Sequence, residues 1–200
     1  MHQLQDIKGL SLPCQTRAFT GVIITTTGLG SNIKEQLVML CDGNNYTVSS
    51  GTYTAANVTA TQVLTTSYAD LTGSSISYTP PTGTTMVKYQ FIFHMVYADV
   101  YGLSHYKLFI DSDEATKQRT TLGANQNPQW QQTLTYHIPI GGSADTTTGR
   151  QATWTSSKTL KIQVRDYGSA NEAKVHGLFH WDGVGNAQVI MPKLMITALG

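Results

Sequence analysis

Charged residues are scarce in this chain. They make up 12% of its 200 residues, about half the usual share for a soluble domain. Lys, Glu and Ala, the residues that cover helix surfaces, are also few. Thr, Ser, Gly, Asn, Gln and Tyr take their place, and these residues suit pleated strands and turns. The composition therefore favours an all-β fold.

The net charge of +1 provides no electrostatic argument for a particular partner. A nucleic-acid-binding protein usually carries a basic stripe, whereas the 13 Lys and Arg residues of this chain are scattered. A surface with so little charge also suggests that part of it is covered when the protein works. We therefore expect no nucleic-acid partner.

Long apolar runs and a secretion signal are both missing. No run approaches the roughly 20 residues that a membrane helix requires, so we expect no membrane partner. Residues 1–6 (MHQLQD) lack a charged region followed by an apolar one, so we expect no signal peptide and synthesis in the cytoplasm. Cys14 and Cys41 are too few for a disulfide framework. Free thiols are favoured in that compartment, although a pair between the two cysteines stays open.

The sequence contains none of the common catalytic motifs. A nucleophile elbow, a P-loop, a zinc-protease helix and a dinucleotide fingerprint are all absent. The pair Gly28 and Gly30 lacks the third glycine of such a fingerprint and indicates a turn. Asp166, Glu172 and Asp182 could form a carboxylate pair for sugar hydrolysis, but each follows a strand pattern where turns favour acidic residues. We therefore predict that the protein is not an enzyme and has no catalytic residue and no cofactor.

Two groups of residues have a weak likeness to metal sites. His176 and His180 lie in a strand pattern, where a separation of four residues places the imidazoles about 13 Å apart, too far for one metal ion. Asp111, Asp113 and Glu114 begin like a calcium loop, but the glycine and the closing glutamate of that motif are missing. The sequence therefore predicts a solvated turn at residues 111–114 and no metal.

Strand patterns recur from residue 61 onward, with turn residues between them. The longest, residues 86–97 (MVKYQFIFHMVY), alternates apolar residues with a period of two, which indicates one buried face. Residues 123–128 (GANQNP) are rich in breakers and predict a loop. The predicted strands are residues 63–66, 74–79, 86–97, 105–111, 130–140, 159–166, 174–181 and 189–199. Because no helical pattern intervenes, they predict an antiparallel jelly-roll β-sandwich.

The first part of the chain differs from the rest. Residues 1–56 contain short apolar pieces among Gly, Thr and Ser, without enough apolar residues for a core of their own. We interpret them as an extended N-terminal arm or small β module used for attachment, and residues 57–200 as the jelly-roll domain. The pieces are a strand at residues 18–26, a buried strand or short helix at residues 35–41, and short extended segments at residues 46–48 and 52–54.

Aromatic side chains are the strongest candidates for function. A single sandwich is not expected to hide all of them, and an aromatic surface with little charge is typical of subunit interfaces. We predict that they divide between the core and a subunit interface. The principal candidates are Tyr89, Phe91, Phe93, Tyr106, Tyr136, Phe179 and Trp181.

Several phrases of the sequence carry a family resemblance. They are NVTATQVLTTSYADLTGSSISYTPP at residues 57–81, KYQF at 88–91, HYKLFID at 105–111, KTLKIQVRDY at 158–167, HWDG at 180–183 and PKLMITALG at 192–200. Together they resemble small virion proteins of marine tailed bacteriophages. The layout of residues 57–200 is similar to trimeric jelly rolls of the tumour-necrosis-factor-like type.

The resemblance implies a homotrimer located on the virion. The first choice is a capsid decoration (cement) protein that binds the major capsid protein through its N-terminal arm. The alternatives are a tail fibre, collar or adaptor component bound to a tail protein, and a carbohydrate-binding module that recognises a host glycan. Synthesis would then take place in the host cytoplasm.

Overall fold

The structure is a computed structural model that describes residues 32–97, 101–125, 129–168, 173–178 and 188–200. Several sequence-based predictions fall on residues outside these ranges. They are the strand at residues 18–26, the turn at Gly28 and Gly30, and the residues Cys14, Glu172, Phe179, His180, Trp181 and Asp182.

Strands dominate the described residues, and the one helical element among them is a short 3-10 helix, Thr116–Gln118. The first strands are β1 (Ile33–Leu40), β2 (Asn45–Val48), β3 (Gly51–Thr54), β4 (Gln62–Val63), β5 (Ala69–Asp70), β6 (Ile76–Tyr78), β7 (Met86–Tyr97) and β8 (Tyr101–Ile110). The remaining strands are β9 (Asp113–Glu114), β10 (Thr120–Asn125), β11 (Gln129–Pro139), β12 (Lys158–Asp166), β13 (Ala173–Val175), β14 (Gly177–Leu178), β15 (Gln188–Val189) and β16 (Lys193–Leu199).

Two antiparallel sheets form the body of the molecule. The first sheet has the order β1-β16-β7-β13-β4, and β11 also pairs with β7. The second sheet has the order β10-β8-β12-β5, with β6 paired to β12 and β9 paired to β8. The pairs β2-β3 and β14-β15 are separate two-stranded units.

The chain passes back and forth between the two sheets. It runs from β6 in the second sheet to β7 in the first and β8 in the second, and later from β10 to β11 in the first and β12 in the second. Strands that pair in one sheet are therefore distant in sequence, as in a jelly roll. The predicted fold class, an all-β antiparallel jelly-roll sandwich, is confirmed.

The core lies between the two sheets. Every second residue of β7, from Val87 to Met95, is at most 1% exposed, as the period-2 pattern predicts. Leu108 on β8 and Ile162 on β12 face this strand from the second sheet and are fully buried. The long alternating strands thus meet through their apolar faces, and the burial of these faces stabilises the sandwich.

Several predictions of strands and loops were wrong in detail. The strand predicted at residues 189–199 is divided into β15 and β16, and the strand predicted at residues 63–66 is only the two-residue β4. The strand predicted at residues 174–181 ends at Val175 because His176 has a positive φ of 65°, which breaks the extended ladder before β14 begins. The loop predicted at residues 123–128 begins later, because β10 continues to Asn125 by pairing with β8. At β10 a tertiary contact therefore overrides the local signal.

The described part of the predicted arm packs on the sandwich. Residues 35–41, predicted as a strand or a short helix, are a strand, since β1 pairs with β16 along the first sheet. Leu37, Met39 and Cys41 join the common core instead of forming one of their own. Burial raises the pKa of the free Cys41 thiol to about 12, so this thiol is unreactive at neutral pH. The pair that the sequence left open between the two cysteines does not form in this structure, because the Cys41 thiol is free, and the division of the chain at residues 56 and 57 stays a prediction.

Candidate assembly surface

The described aromatic candidates lie inside the sandwich. Phe91 stacks on Phe93 at 5.6 Å between ring centroids, and Phe93 meets Tyr106 of the second sheet at 5.9 Å. Tyr89 stacks on Tyr136 at 6.2 Å. All five rings are at most 1% exposed, so they hold the two sheets together and leave the surface to other residues.

The buried tyrosine hydroxyls are structural. The Tyr89 hydroxyl donates to the Ser74 carbonyl, and the Tyr106 hydroxyl donates to the Met95 Sδ at 3.4 Å. Burial raises the pKa of Tyr89 well above its usual value, and the pKa of Tyr136 also rises for this reason. The hydroxyls of Tyr89 and Tyr136 are therefore neutral at physiological pH, and those of Tyr89 and Tyr106 serve as hydrogen-bonding groups of the core.

Two of the carboxylates that the sequence offered as site candidates are used within the fold. Asp166 is buried and accepts hydrogen bonds from the backbone N–H groups of Tyr167 at 2.7 Å and Ala173 at 2.9 Å. Asp111 accepts from the Thr159 N–H at 2.8 Å and pairs with Lys158 at 3.3 Å. Among the described residues, no three His, Cys, Asp or Glu side chains come together in a way that could hold a metal ion.

The outer face of the first sheet carries several apolar side chains. It consists of the outward side chains of β1, β16, β7 and β11, and we call it the assembly face. Its apolar members are Ile33, Val38, Leu40, Met86, Ile92, Met195 and Leu199, and its other members are Gln36, Lys88, Gln90, His94, Gln131, Thr133, Thr135, His137, Lys193 and Thr197. The set contains two lysines and no carboxylate.

Strand register groups Val38, Leu40, Met195 and Ile92 around Lys193 in an apolar patch at one end of this face. Val38 lies opposite Met195, and Leu40 lies opposite Lys193, which in turn lies opposite Ile92. Directly opposed side chains on neighbouring antiparallel strands are within contact distance. Val38 is 47% exposed and Leu40 is 42% exposed, so the patch faces outward along β1 and β16.

β1 is apolar on both of its faces. Leu37 and Met39 point into the core, while Val38 and Leu40, which alternate with them, point outward. A strand that is buried on one face usually alternates apolar and polar residues, and a continuous apolar run indicates cover on both faces. The run LVML in the sequence was the signal for this surface, and it was interpreted only as burial.

The assembly face ends at an edge strand without charge. β11 (QWQQTLTYHIP) contains no Lys, Arg, Asp or Glu, and β7 is the strand that pairs with it in the described part of the chain. The Gln118 side chain bonds to the backbone N–H and carbonyl of His137 and so covers one point of this edge. Edge strands of monomeric proteins usually carry charges or proline, which prevent pairing with another chain.

Comparison with known proteins identifies no family for this chain. No family model and no curated protein matches it. Among solved structures, a chain from the structure of infectious bursal disease virus, Gx strain, is similar, with a TM-score of 0.35 and 11% sequence identity. The match covers 90% of the present chain and 43% of the viral chain, so the present chain spans less than half of that chain's length. None of the helical structure in the described residues is long and apolar enough to cross a membrane.

Proposed function

We propose that this chain is a non-enzymatic structural protein of a virus particle that assembles with copies of itself through the assembly face. The observation that carries the proposal is β1, which is apolar on both faces although the residues that the structure describes cover only one of them. Contiguous exposed apolar surface marks an interaction site, because burying it removes apolar area from water.

The charges of the assembly face favour a ring over a two-fold pair. Face-to-face packing of two copies would bring Lys88 and Lys193 of both copies into one interface without a carboxylate, and desolvating like charges together is costly. A heterologous contact, in which the face of one copy meets the uncharged β11 edge of the next, avoids this cost. Heterologous contacts generate a ring when the rotation between successive copies closes. The resemblance to trimeric jelly rolls makes the ring a homotrimer.

Sedimentation velocity of the purified protein tests the assembly. We expect a trimer at micromolar concentration, and we expect Val38→Glu to weaken association by more than roughly tenfold, because it places a carboxylate in the desolvated interface. Leu103→Glu is the matched control, since Leu103 is a 38% exposed residue of the second sheet. A wild-type monomer, or equal weakening by both variants, would contradict the proposal.

The proposed place on the particle is the capsid shell. In this arrangement the N-terminal arm binds the major capsid protein and the jelly roll is displayed outside, as the resemblance implies for a decoration protein. Electron microscopy of virions labelled on this protein tests the location. Label spread over the shell supports decoration, whereas label confined to the tail or to one vertex would instead favour the tail fibre, collar or adaptor alternative.

A further inference from the structure

Cationic side chains gather around one tyrosine on the outer face of the second sheet. His105 of β8 lies directly opposite Arg165 of β12, and Lys107 lies one step further along the same face of β8. We call the following residues the cationic cluster: Tyr68, His105, Lys107, Glu114, Arg119 and Arg165.

Tyr68 organises the cluster. Its hydroxyl is hydrogen-bonded to the His105 Nδ1 at 2.6 Å. The Lys107 Nζ lies 4.0 Å from the centroid of its ring, and the Arg165 Cζ lies 5.2 Å from the same centroid. Cation–π contacts of this kind hold charged groups at a surface without neutralising them.

The cluster contains more cations than its carboxylate can neutralise. The Glu114 carboxylate accepts from Lys107 at 3.2 Å and from Arg119 at 2.5 Å. Arg165 has no carboxylate partner in the part of the chain that the structure describes, and its buried Nε has no hydrogen-bond partner there either. Burial lowers the pKa of His105, and the three nearby cations lower it further, which reflects the positive potential of the cluster.

An exposed tyrosine follows the cluster directly beyond the end of β12. Tyr167 follows Arg165 by two residues, its backbone N–H donates to the Leu103 carbonyl at 2.7 Å, and 72% of the residue is exposed. Leu103 lies two residues before His105 and is also exposed. An exposed aromatic ring next to an unneutralised guanidinium can stack a flat or ring-shaped ligand and bind its acidic group at the same time.

Along β12, the lysines beyond this cluster are neutralised by carboxylates. Further along β12, Lys161 pairs with Asp70 at 3.1 Å and Lys158 pairs with Asp111. A nucleic-acid backbone requires a row of unneutralised cations along its path. One short group of cations beside one aromatic ring instead suits a single acidic ring, and a uronic acid within a polysaccharide has this chemistry.

We propose that the cationic cluster and Tyr167 bind a carboxylated saccharide of the uronate type. The sugar ring stacks on Tyr167, and its carboxylate binds the Arg165 guanidinium, which is well shaped for two parallel hydrogen bonds to a carboxylate. This site is on the second sheet, on the opposite side of the sandwich from the assembly face. The inference therefore stands independently of the assembly described above.

Calorimetric titration with an oligogalacturonate tests the site. The fully methyl-esterified form of the same oligosaccharide is the matched ligand control, because it keeps the sugar rings and removes the carboxylates. We expect the acid form to bind and the ester not to bind. We expect Arg165→Gln to weaken binding by roughly tenfold or more, as for other charge-assisted hydrogen bonds. Tyr167→Ala should also weaken it, while Lys158→Gln, on the same strand, should leave it unchanged.

A second arginine variant and a nucleic-acid ligand complete the test of this site. Arg119→Gln removes a second cation at a side chain that is 45% exposed, so it should weaken binding while the thermal unfolding midpoint is preserved. The proposal is overturned if the acid form does not bind or if the ester binds equally. It is also overturned if Arg165→Gln and Arg119→Gln both bind like the wild type while folded, or if a single-stranded oligonucleotide of equal charge binds more tightly than the oligogalacturonate.

Discussion

The two sheets bury apolar inner faces of the same kind but present different outer faces. The second sheet carries ion pairs, such as Lys161 with Asp70, and cation–π contacts around Tyr68. The first sheet carries Val38 and Leu40 at the surface and no carboxylate on its outer face. A face that pairs most of its charges within the chain is adapted to water. A face with exposed apolar side chains is adapted to contact with another surface.

Two polar side chains buried beside the first sheet differ from each other in their hydrogen bonds. The Glu35 carboxylate accepts hydrogen bonds from Ser49, from both the N–H and the hydroxyl of Ser50, and from the Tyr78 hydroxyl, at 2.5 to 2.8 Å. The His176 ring lies edge-on to two buried phenylalanines, and neither of its nitrogens has a hydrogen-bond partner among the described residues. The hydrogen bonds to Glu35 therefore offset the cost of removing its carboxylate from water. His176 lacks such bonds, and it avoids the cost of a buried charge by staying neutral.

The largest expected effect is the loss of stability when an aromatic ring is removed from the core, compared with removal of a ring from the outer face of a sheet. Phe91→Ala removes a fully buried ring and leaves a cavity, so we expect it to lower the free energy of unfolding by about 3–5 kcal/mol. Phe109→Ala is the control, since Phe109 lies half-buried on the outer face of the second sheet under Lys161. Denaturant unfolding of both variants measures the difference. Equal losses would show that the core between the sheets is not the main source of stability.

Substitution of two glutamates compares the contribution of a buried carboxylate beside the first sheet with that of a partly exposed carboxylate on the second sheet. Glu35→Ala leaves four donors without their acceptor in a buried place, and we expect a loss of about 3 kcal/mol. Glu114→Ala breaks a partly exposed ion-pair group of the second sheet, and we expect a loss of less than about 1 kcal/mol. Chemical denaturation at constant pH measures both values. A smaller loss for Glu35→Ala than for Glu114→Ala would contradict the role assigned to the buried carboxylate.

The pH dependence of stability tests the buried imidazole. Burial lowers the pKa of His176 to about 4, and the nearby Thr72 backbone opposes this only weakly because its geometry falls short of a hydrogen bond. Since the unfolded chain has the usual pKa of about 6.5, it binds this proton more readily. The stability from the neutral ring is therefore complete above about pH 6.5 and decreases as the pH falls towards 4, by a few kcal/mol in total.

Replacement of His176 isolates this effect from that of the carboxylates. His176→Asn removes the titrating group with a residue that tolerates the positive φ of 65° at this position. We expect the dependence of the unfolding free energy on pH between 4 and 6.5 to become flatter in the variant, while other titrating groups still contribute. An unchanged slope in this window would contradict the assignment.

Much of the fold follows from local patterns, and the exceptions have identifiable causes. The period-2 alternation predicted β7 and β12 within one residue of their ends, since alternation depends only on which residues repeat. β10 was not predicted, because Gly123 and Asn125 are weak strand formers. They pair in the structure because β8 lies beside them. The break at His176 was missed because a histidine carries no local signal for a positive φ.

The assembly face and the cationic cluster could not be predicted as sites. Tyr68, Lys107 and Arg165 are far apart in sequence, and only the pairing of β8 with β12 and the position of Tyr68 before β5 bring them together. The five described aromatic candidates occupy the core, and composition could not decide between core and interface because it cannot distinguish an inward ring from an outward one.

The sequence alone determined that this protein is a β protein with little charge, because composition and period-2 alternation act residue by residue along the chain. Tertiary structure alone decided which face of each strand is covered and which charges meet. Both depend on strand register, and register is set by contacts between residues such as His105 and Arg165, which are far apart in the chain.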